Sequence, residues 1–156
     1  MKLTALTAAS ALLLSSCAAT YRAPDTTAKA DTVTVRGSKG DILQAAKQVL
    51  VVDGYQITNS DDAAGIISTA PTDLHVTPEQ ANCGTTMGLD YLKDKRTSTR
   101  VSFGIVAAHD SLTVKANIQG EYKPGAVDQN ITLTCVSRGA LEQALIAQIV
   151  AALPRR

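Results

Sequence analysis

The chain is poor in aromatic residues and carries no excess charge of either sign. Its 156 residues include four Tyr, one Phe and no Trp, and 15 basic residues stand against 14 acidic ones. Few aromatic rings are therefore available for stacking on bases or sugars. A basic patch, the usual footprint of nucleic-acid binding, is not indicated either, because the charge run at 93–96 is mixed and Arg155-Arg156 is a terminal pair. These features predict no nucleic-acid partner.

The chain also lacks an apolar run long enough to cross a bilayer, which takes about 20 residues. Its longest such stretch, residues 3–14, follows the basic Lys2 and leads into two small residues, Ser15 and Ser16. A short positive region, a short apolar core and small residues, in that order, are typical of an export signal. We therefore expect residues 1–16 to be a removable signal peptide.

The signal peptide ends in Leu14-Ser15-Ser16-Cys17, which resembles the lipobox of bacterial lipoproteins. The resemblance implies cleavage before Cys17 and a diacylglyceryl group on its sulfur, usually with a further acyl chain on the new N-terminus. Two or three such chains, at about 0.8 kcal/mol per buried CH₂, hold a protein stably on a membrane. The alternative is an ordinary secretory signal in which a cysteine happens to follow the cleavage site.

The residue after Cys17 bears on which membrane carries the protein. By the sorting rule of enteric-type bacteria, Asp at this position retains a lipoprotein in the inner membrane, whereas this chain has Ala18. The resemblance therefore implies the outer membrane, periplasmic side, with the inner membrane as the alternative. Residues 17–31 are predicted to form the lipidated cysteine and a flexible tether, and residues 32–154 a single domain.

With Cys17 assigned to lipid, Cys83 and Cys135 remain as a pair in an oxidising compartment. We predict a disulfide between them, which would close a loop of about 53 residues and, in the chain-entropy model, contribute about 4 kcal/mol. A redox or metal role is the alternative. Redox motifs usually bring two cysteines close in sequence, and a metal requires three or four ligands, whereas neither His75 nor His109 stands at ligand spacing. The sequence predicts no metal and no cofactor.

Two stretches have the apolar periodicity of helices. Ser38 or Asp41 is the predicted N-cap of the first helix, and Gly54 marks its end. Its apolar positions are Ile42, Ala45, Ala46, Val49 and Leu50. Ser137 is the predicted cap of the second helix, and Pro154 ends it. Its apolar stripe is Leu141, Leu145, Ile149 and Leu153, with Ala144 and Ala152 beside it.

Strict alternation of apolar and polar residues over 101–107 and 112–118 predicts a long antiparallel hairpin. Shorter strands are expected at 32–36, 55–58, 65–70 and 131–135, with Ile131, Leu133 and Cys135 on one side of the last. Two amphipathic helices on one face of an antiparallel sheet bury all these stripes. The predicted fold is therefore an α+β two-layer sandwich.

This element order is similar to that of the helix-grip domains found in several envelope lipoproteins, including a lipoprotein subunit of the outer-membrane protein assembly machinery. The segment 135–142 also resembles the strand-to-helix joint of small uncharacterised proteobacterial lipoproteins. No functional residue carries over from either resemblance.

If the helices cover one face of the sheet, the other face is small and polar in composition, which is typical of a solvated face or a protein interface. Its predicted members are Ser102, Gly104, Val106, Thr113, Lys115, Asn117, Gln119, Thr132 and Thr134. The stretch 71–95 has no clear periodicity and is predicted to be a long loop with short local structure. Loops of this length are often functional, although a disulfide-pinned cover over a sheet edge is the alternative.

No catalytic constellation is evident, so no catalytic residue is predicted. His109 precedes Asp110 in the expected hairpin turn, where a solvated turn is the simpler interpretation. Asp61-Asp62 follows Asn-Ser as an ordinary polar turn without calcium-loop spacing. The Gly-rich segment 84–88 lacks the Lys of a phosphate-binding loop and predicts a tight backbone turn.

Three functional hypotheses follow from these observations. The leading one is a non-catalytic envelope lipoprotein that acts as an accessory or scaffold component through contacts with other envelope proteins. A second is a lipid or small-ligand carrier, which requires an enclosed pocket lined by residues such as Val49, Phe103, Leu145 and Ile149. A third is a small hydrolase acting on envelope material, which requires His75 or an acid of the 71–95 loop to be buried beside a cleft.

Overall fold

The computed structural model describes residues 21–24, 30–125 and 130–154. The predicted signal peptide, Cys17 and most of the predicted tether lie outside this range. Among the described residues there are two helices, α1 (Lys39–Val52) and α2 (Ala140–Ala152). The described strands are β1 (Tyr21–Arg22), β2 (Asp31–Thr34), β3 (Ile57–Asp61), β4 (Ile66–Thr69), β5 (Thr72–Asp73), β6 (Ala81–Asn82), β7 (Thr85–Thr86), β8 (Leu89–Asp90), β9 (Thr97–Ala108), β10 (Ser111–Tyr122) and β11 (Ile131–Ser137).

The predicted hairpin is the centre of the fold. β9 and β10 pair antiparallel over their whole length, from Thr97 opposite Tyr122 to Ala108 opposite Ser111. The main sheet has the order β3-β4-β9-β10-β11-β6. Two short strands extend it, since β2 pairs with β10 beyond the end of β11, and β5 pairs with β9 beyond the end of β4. A separate small sheet has the order β1-β7-β8.

Both helices pack on one face of the main sheet, and the hydrophobic core lies between the two layers. Alternate residues of β9 and β10 point into it, among them Val101, Phe103 and Ile105, while their neighbours in sequence are at least partly exposed. The predicted α+β two-layer architecture is thus confirmed.

The first helix forms as predicted. Ser38 is the N-cap and makes a capping box with Asp41, in which each side chain bonds the other residue's backbone amide. The helical residues end at Val52, and Gly54 follows with φ +82°. The predicted apolar positions are buried except Val49, which is partly buried against the core.

The start of the second helix differs from the prediction. Its N-cap is Gly139 and not Ser137. The Ser137 hydroxyl instead donates to Glu142 at 2.6 Å and accepts from the Gly139 amide. The apolar stripe also lies differently, because Ala144 and Ala152 are exposed and Ile146 is buried. Larger apolar side chains gain more from burial than alanine does, which turns Ile146 toward the core.

Two further predictions are corrected in part. Ile131 is exposed, whereas Leu133 and Cys135, which were predicted to share its side of β11, are buried. The tether prediction is wrong at Tyr21 and Arg22, which form β1 against β7. The 71–95 stretch agrees with its prediction, because it holds only short elements, the two-residue strands β5 to β8 and a 3₁₀ turn at Tyr91–Lys93.

The 71–95 stretch covers an edge of the main sheet. β6 pairs with β11, and the disulfide partner Cys83 is fully buried beside it. Val76, Ala81, Tyr91 and Leu92 are also buried, and they extend the core under this segment. These contacts agree with the simpler interpretation of the stretch as a pinned cover. Neither of the described helices has the length and apolar character needed to cross a membrane.

Candidate interaction surface

The sequence-predicted cysteine pair is joined in the structure. A disulfide links Cys83, after β6, to Cys135 in β11, and the two positions are 52 residues apart in sequence. Gly120 lies on the neighbouring strand β10 and makes room for this bond. A Cβ atom at that position would lie 2.9 Å from the Cys135 sulfur and 3.1 Å from the Leu133 Cβ. The disulfide therefore ties the 71–95 cover to the main sheet.

The face of the sheet opposite the helices, here called the open face, is formed mainly by β9, β10 and β11. The members that were predicted from the sequence are all exposed or partly exposed. Register places their side chains in rows across the strands. One row runs from Asp73 through Arg100 and Gln119 to Thr134, and the next from Ser98 through Glu121 to Thr132.

A groove of about 280 Å³ lies across these two rows. Its walls carry both signs of charge. The charged residues that line it are Asp73, Arg100, Glu121 and Lys123. Lys123 Nζ lies 3.8 Å from Glu121 Oε1, and Asn130 donates to the same oxygen at 2.6 Å. Exposed charges of this kind attract each other only weakly in water, so they remain available to a partner.

The other end of the open face is less polar. Ile66 of β4 is the register partner of Val106 of β9, and both side chains are exposed. Gly104 adds a depression, because nothing lies within 4 Å of where its Cβ would be. Beside them, the hydroxyls of Thr32 and Thr113 are 2.9 Å apart. The open face thus has a charged groove at one end and a small apolar area at the other.

The histidines that the sequence suggested do not come together. His75 lines a second groove of about 540 Å³ with Asp73 and Lys123, but it is exposed. His109 lies in the β9–β10 turn, where its Nδ1 is 2.9 Å from Asp110 Oδ2, and both side chains are largely exposed. The acids of the 71–95 stretch are also not buried. The hydrolase hypothesis required such a group buried beside a cleft, and these positions do not provide one.

The predicted turn at Asp61-Asp62 begins one residue later, because Asp61 is the last residue of β3, and Asp62 ties the turn to α1. Lys47 Nζ lies 2.6 Å from Asp62 Oδ1, and this hydrogen bond lowers the pKa of Asp62 below its usual value, with a second bond from Ser60. The Asp61 side chain accepts from the Ala64 amide. Within the described residues, no three His, Cys, Asp or Glu side chains converge as a metal site would require.

Asp94, a carboxylate whose pKa is strongly lowered, lies next to the 3₁₀ turn. The guanidinium of Arg96 bonds both oxygens of Asp94, at 2.6 and 3.0 Å, and the Arg96 backbone amide bonds one of them. These bonds lower the pKa of Asp94 to about 2. Arg96 also lies over the Tyr122 ring, 5.0 Å from its centroid. This exposed pair fixes the loop before β9.

The carrier hypothesis required a cavity between the layers. Phe103, Leu145 and Ile149 are instead buried in one continuous core cluster, and Val49 packs against it. Tyr55 packs edge-on against Phe103 with ring centroids 5.1 Å apart. Burial raises the pKa of Tyr55. The residues that were expected to line a pocket therefore form part of the packed core or lie against it.

A buried acidic residue was missed in the sequence. Glu142 is fully buried in the first turn of α2, between the helix and β10. Its Oε1 accepts the backbone amide of Ala116 at 3.1 Å, and its Oε2 accepts the Ser137 hydroxyl. The spacing of Glu142 could have indicated its burial, because it lies on the same helix face as Ile146 and Ile149. A carboxylate at such a position indicates a structural hydrogen bond.

Comparisons with known proteins identify no family. No family model matches the chain, and no curated protein matches it. Similar solved structures include a TBP-like protein from Parabacteroides distasonis, at 17% identity and a TM-score of 0.43. Another is a DUF4468 family protein from Bacteroides ovatus, at 12% identity and a TM-score of 0.45.

The matched region covers 68% of this chain and 64% of the first neighbour, and 67% of this chain and 58% of the second. The chain therefore spans less than two thirds of the length of either. The α+β class rests on the helices and strands described above.

Proposed function

We propose that this protein is a lipid-anchored, non-catalytic component of a bacterial envelope that contacts partner proteins through its open face. The observation that carries the proposal is the composition of that face. It lies on the side of the sheet away from both helices and joins the charged groove at Arg100 and Glu121 to the exposed pair Ile66 and Val106. An accessory or scaffold role needs such a surface and no catalytic group.

The charges of the groove support selective protein contact. Arg100 and Lys123 lie within the same groove as Asp73 and Glu121. Complementary charges set the specificity and the rate of association more than they set affinity. The apolar end supplies area that gains from removal of water. A partner with a polar, oppositely patterned surface and a small apolar patch fits both ends.

In-cell photocrosslinking tests the surface. A photoreactive amino acid is placed at Asn117 or Gln119 on the open face, and at Gln48 or Gln143 on the exposed side of the helices as matched controls. We expect the two open-face positions to yield the same protein adduct and the helix positions to yield none of it. Adducts that are equal from both sides, or absent from the open face, would contradict the proposal.

The anchor is a separate part of the proposal. It is supported by Leu14-Ser15-Ser16-Cys17 and by Ala18, which favours the outer membrane on its periplasmic side. Metabolic labelling with palmitate should mark the chain, and Cys17→Ser should abolish the label while the domain still folds. Recovery of the labelled protein in the inner-membrane fraction would contradict the outer-membrane assignment, and unlabelled wild type would contradict the anchor.

A further inference from the structure

The β7–β8 hairpin exposes two large apolar side chains at its tip. Met87 is 82% exposed and Leu89 is 72% exposed. The turn between the strands consists of Met87 and Gly88, with φ +48° and φ +80°. Two-residue turns with both central residues at positive φ favour Asn-Gly or Asp-Gly, and a non-glycine residue other than Asn or Asp is uncommon there. Met87 thus has neither a conformational nor a solvation reason to occupy the tip.

β1 begins beside this tip. It is antiparallel to β7, with Tyr21 opposite Thr86 and Arg22 opposite Thr85. Tyr21, the first residue of β1, therefore lies at the end of the small sheet where the hairpin turns. Only four peptide steps separate Cys17 from Tyr21, which is a reach of at most about 14 Å.

β1 is held in this position by specific contacts. The Tyr21 ring packs on Tyr91 with centroids 6.0 Å apart, and Tyr91 packs on Tyr122 at 5.0 Å. Gly84, at φ +85°, allows the close approach, because a Cβ there would lie 2.4 Å from the Arg22 carbonyl oxygen. The start of β1, four residues after Cys17 in the sequence, is thereby held beside the tip by a strand pairing and by a ring contact.

We propose that Met87 and Leu89 insert into the interfacial region of the lipid bilayer that holds the acyl chains of Cys17. This inference rests on the proposed lipid anchor. Apolar side chains at the level of the acyl boundary gain from leaving water, and a neighbouring tyrosine such as Tyr21 is favoured at the headgroup level. The bilayer is the partner that fits, because Cys17, which would carry the acyl chains, is only four residues before β1. β1 in turn pairs with β7, a strand of the hairpin. The domain then docks on the membrane in one orientation.

Tryptophan fluorescence tests the insertion, because the chain has no Trp of its own. Met87→Trp places a single reporter at the tip of the mature, lipidated protein in vesicles of phosphatidylethanolamine and phosphatidylglycerol doped with dibrominated phosphatidylcholine. Val52→Trp is the matched control. Val52 is 84% exposed at the end of α1, beside β3, which forms the edge of the main sheet opposite β6.

We expect the Met87→Trp emission to be blue-shifted and to lose most of its intensity to the brominated lipid. The Val52→Trp emission should keep its intensity in the same vesicles and remain open to acrylamide quenching from water. Adding Leu89→Ser to Met87→Trp should weaken the lipid quenching, because one of the two inserted side chains is lost.

The outcomes separate this inference from the anchor on which it rests. The mass of the N-terminal peptide establishes first whether Cys17 carries lipid. If it does and the tip reporter stays in water, or if both reporters are quenched equally, the inference is wrong and the anchor stands. If Cys17 carries no lipid, both the anchor and the insertion are wrong.

Discussion

The carboxylate of Glu142 accepts the backbone amide of Ala116 at 3.1 Å, with its side chain fully buried. The geometry of the sheet explains why this bond is needed. β10 pairs with β2 through Ser111–Val114 and with β11 through Ile118–Tyr122, and Ala116 lies in the interval between those pairings. Buried amides require an acceptor, and here a side chain from α2 replaces the missing strand.

A matching arrangement occurs across the central hairpin. Phe103 is the register partner of Ala116, and its amide donates to the Thr69 hydroxyl at 2.9 Å. It lies between the stretches of β9 that pair with β4 and β5. Side chains thus complete the hydrogen bonding of the sheet at both intervals.

Replacing Glu142 by Leu should lower the free energy of unfolding by about 3 kcal/mol, because the Ala116 amide and the Ser137 hydroxyl lose their acceptor in a buried site. Glu142→Gln keeps an acceptor oxygen and should cost about 1 kcal/mol. Urea unfolding at neutral pH measures both. Gln143→Leu, an exposed change in the same helical turn, serves as the control and should stay within about 0.5 kcal/mol. Equal losses for the two Glu142 variants would contradict this role.

Removing the disulfide with Cys83→Ser and Cys135→Ser should destabilise the domain by about 4 kcal/mol, since the bond closes a 52-residue separation. Urea unfolding with and without dithiothreitol measures the effect. The wild type should fall to about the stability of the double variant when reduced, and the double variant should not respond to reductant. A wild type that is indifferent to complete reduction would contradict the prediction.

Gly120→Ala should destabilise the protein by about 1–3 kcal/mol, because the new methyl group meets the Cys135 sulfur and Leu133 in a packed core. Gly104→Ala is the matched control, on the adjacent strand and the open face, where the added carbon meets nothing within 4 Å. It should be neutral or stabilising by up to about 1 kcal/mol. Thermal unfolding distinguishes the two, and a similar loss for both would contradict the packing argument.

The Asp94–Arg96 pair should make the stability of the folded protein depend on pH in the acidic range. The pKa of Asp94 is lowered to about 2 by its hydrogen bonds to Arg96, from an ordinary value of 3.8. A lowered folded-state pKa stabilises the protein above the unfolded value, and that contribution is lost as pH falls from about 4 to about 2. Carboxyl ¹³C NMR should give a midpoint near 2.

Arg96→Met should return the Asp94 midpoint toward its ordinary value, because the guanidinium bonds are lost. The titration of Asp62, which bonds Lys47 elsewhere in the structure, should be unchanged and serves as the control. An Asp94 midpoint that is the same with and without Arg96 would show that another group causes the shift.

Gly84→Ala should detach β1, because its methyl group would overlap the Arg22 carbonyl. Gly54→Ala is the matched control, since Gly54 has a similar φ of +82° and nothing within 4 Å of the added carbon. Both variants place an alanine in the left-handed backbone conformation, which costs about 1 kcal/mol. Only Gly84→Ala should speed trypsin cleavage after Arg22, as measured by the mass of the product beginning at Ala23. Equal cleavage rates would contradict the argument that the close approach of Gly84 to Arg22 holds β1 in place.

Much of the fold could be predicted from the local pattern of apolar and polar residues. The spacing of apolar residues placed α1, the β9–β10 hairpin and the composition of the open face, because side-chain direction along a helix or strand follows directly from its periodicity. The pairing of Cys83 with Cys135 was predictable for a different reason, namely that assigning Cys17 to lipid left two cysteines.

The remaining features depend on contacts between distant segments. The sequence predicted Ser137 as a helix cap, yet its hydroxyl bonds one carboxylate oxygen of Glu142. The other oxygen accepts the backbone amide of Ala116, which is 26 positions away in sequence. The pairing of β1 with β7 gave no periodic signal, because each strand has only two residues.

The sequence by itself determined that there are two helices and a central hairpin, and which faces of α1 and of the hairpin strands would be buried, since these depend on neighbours within a turn or a strand. Only the tertiary structure decided that Glu142 completes the sheet, that Gly120 accommodates the disulfide and that β1 pairs with β7 next to Met87. Those three depend on close approach between segments that are remote in sequence, and such distances exist only once the chain has packed.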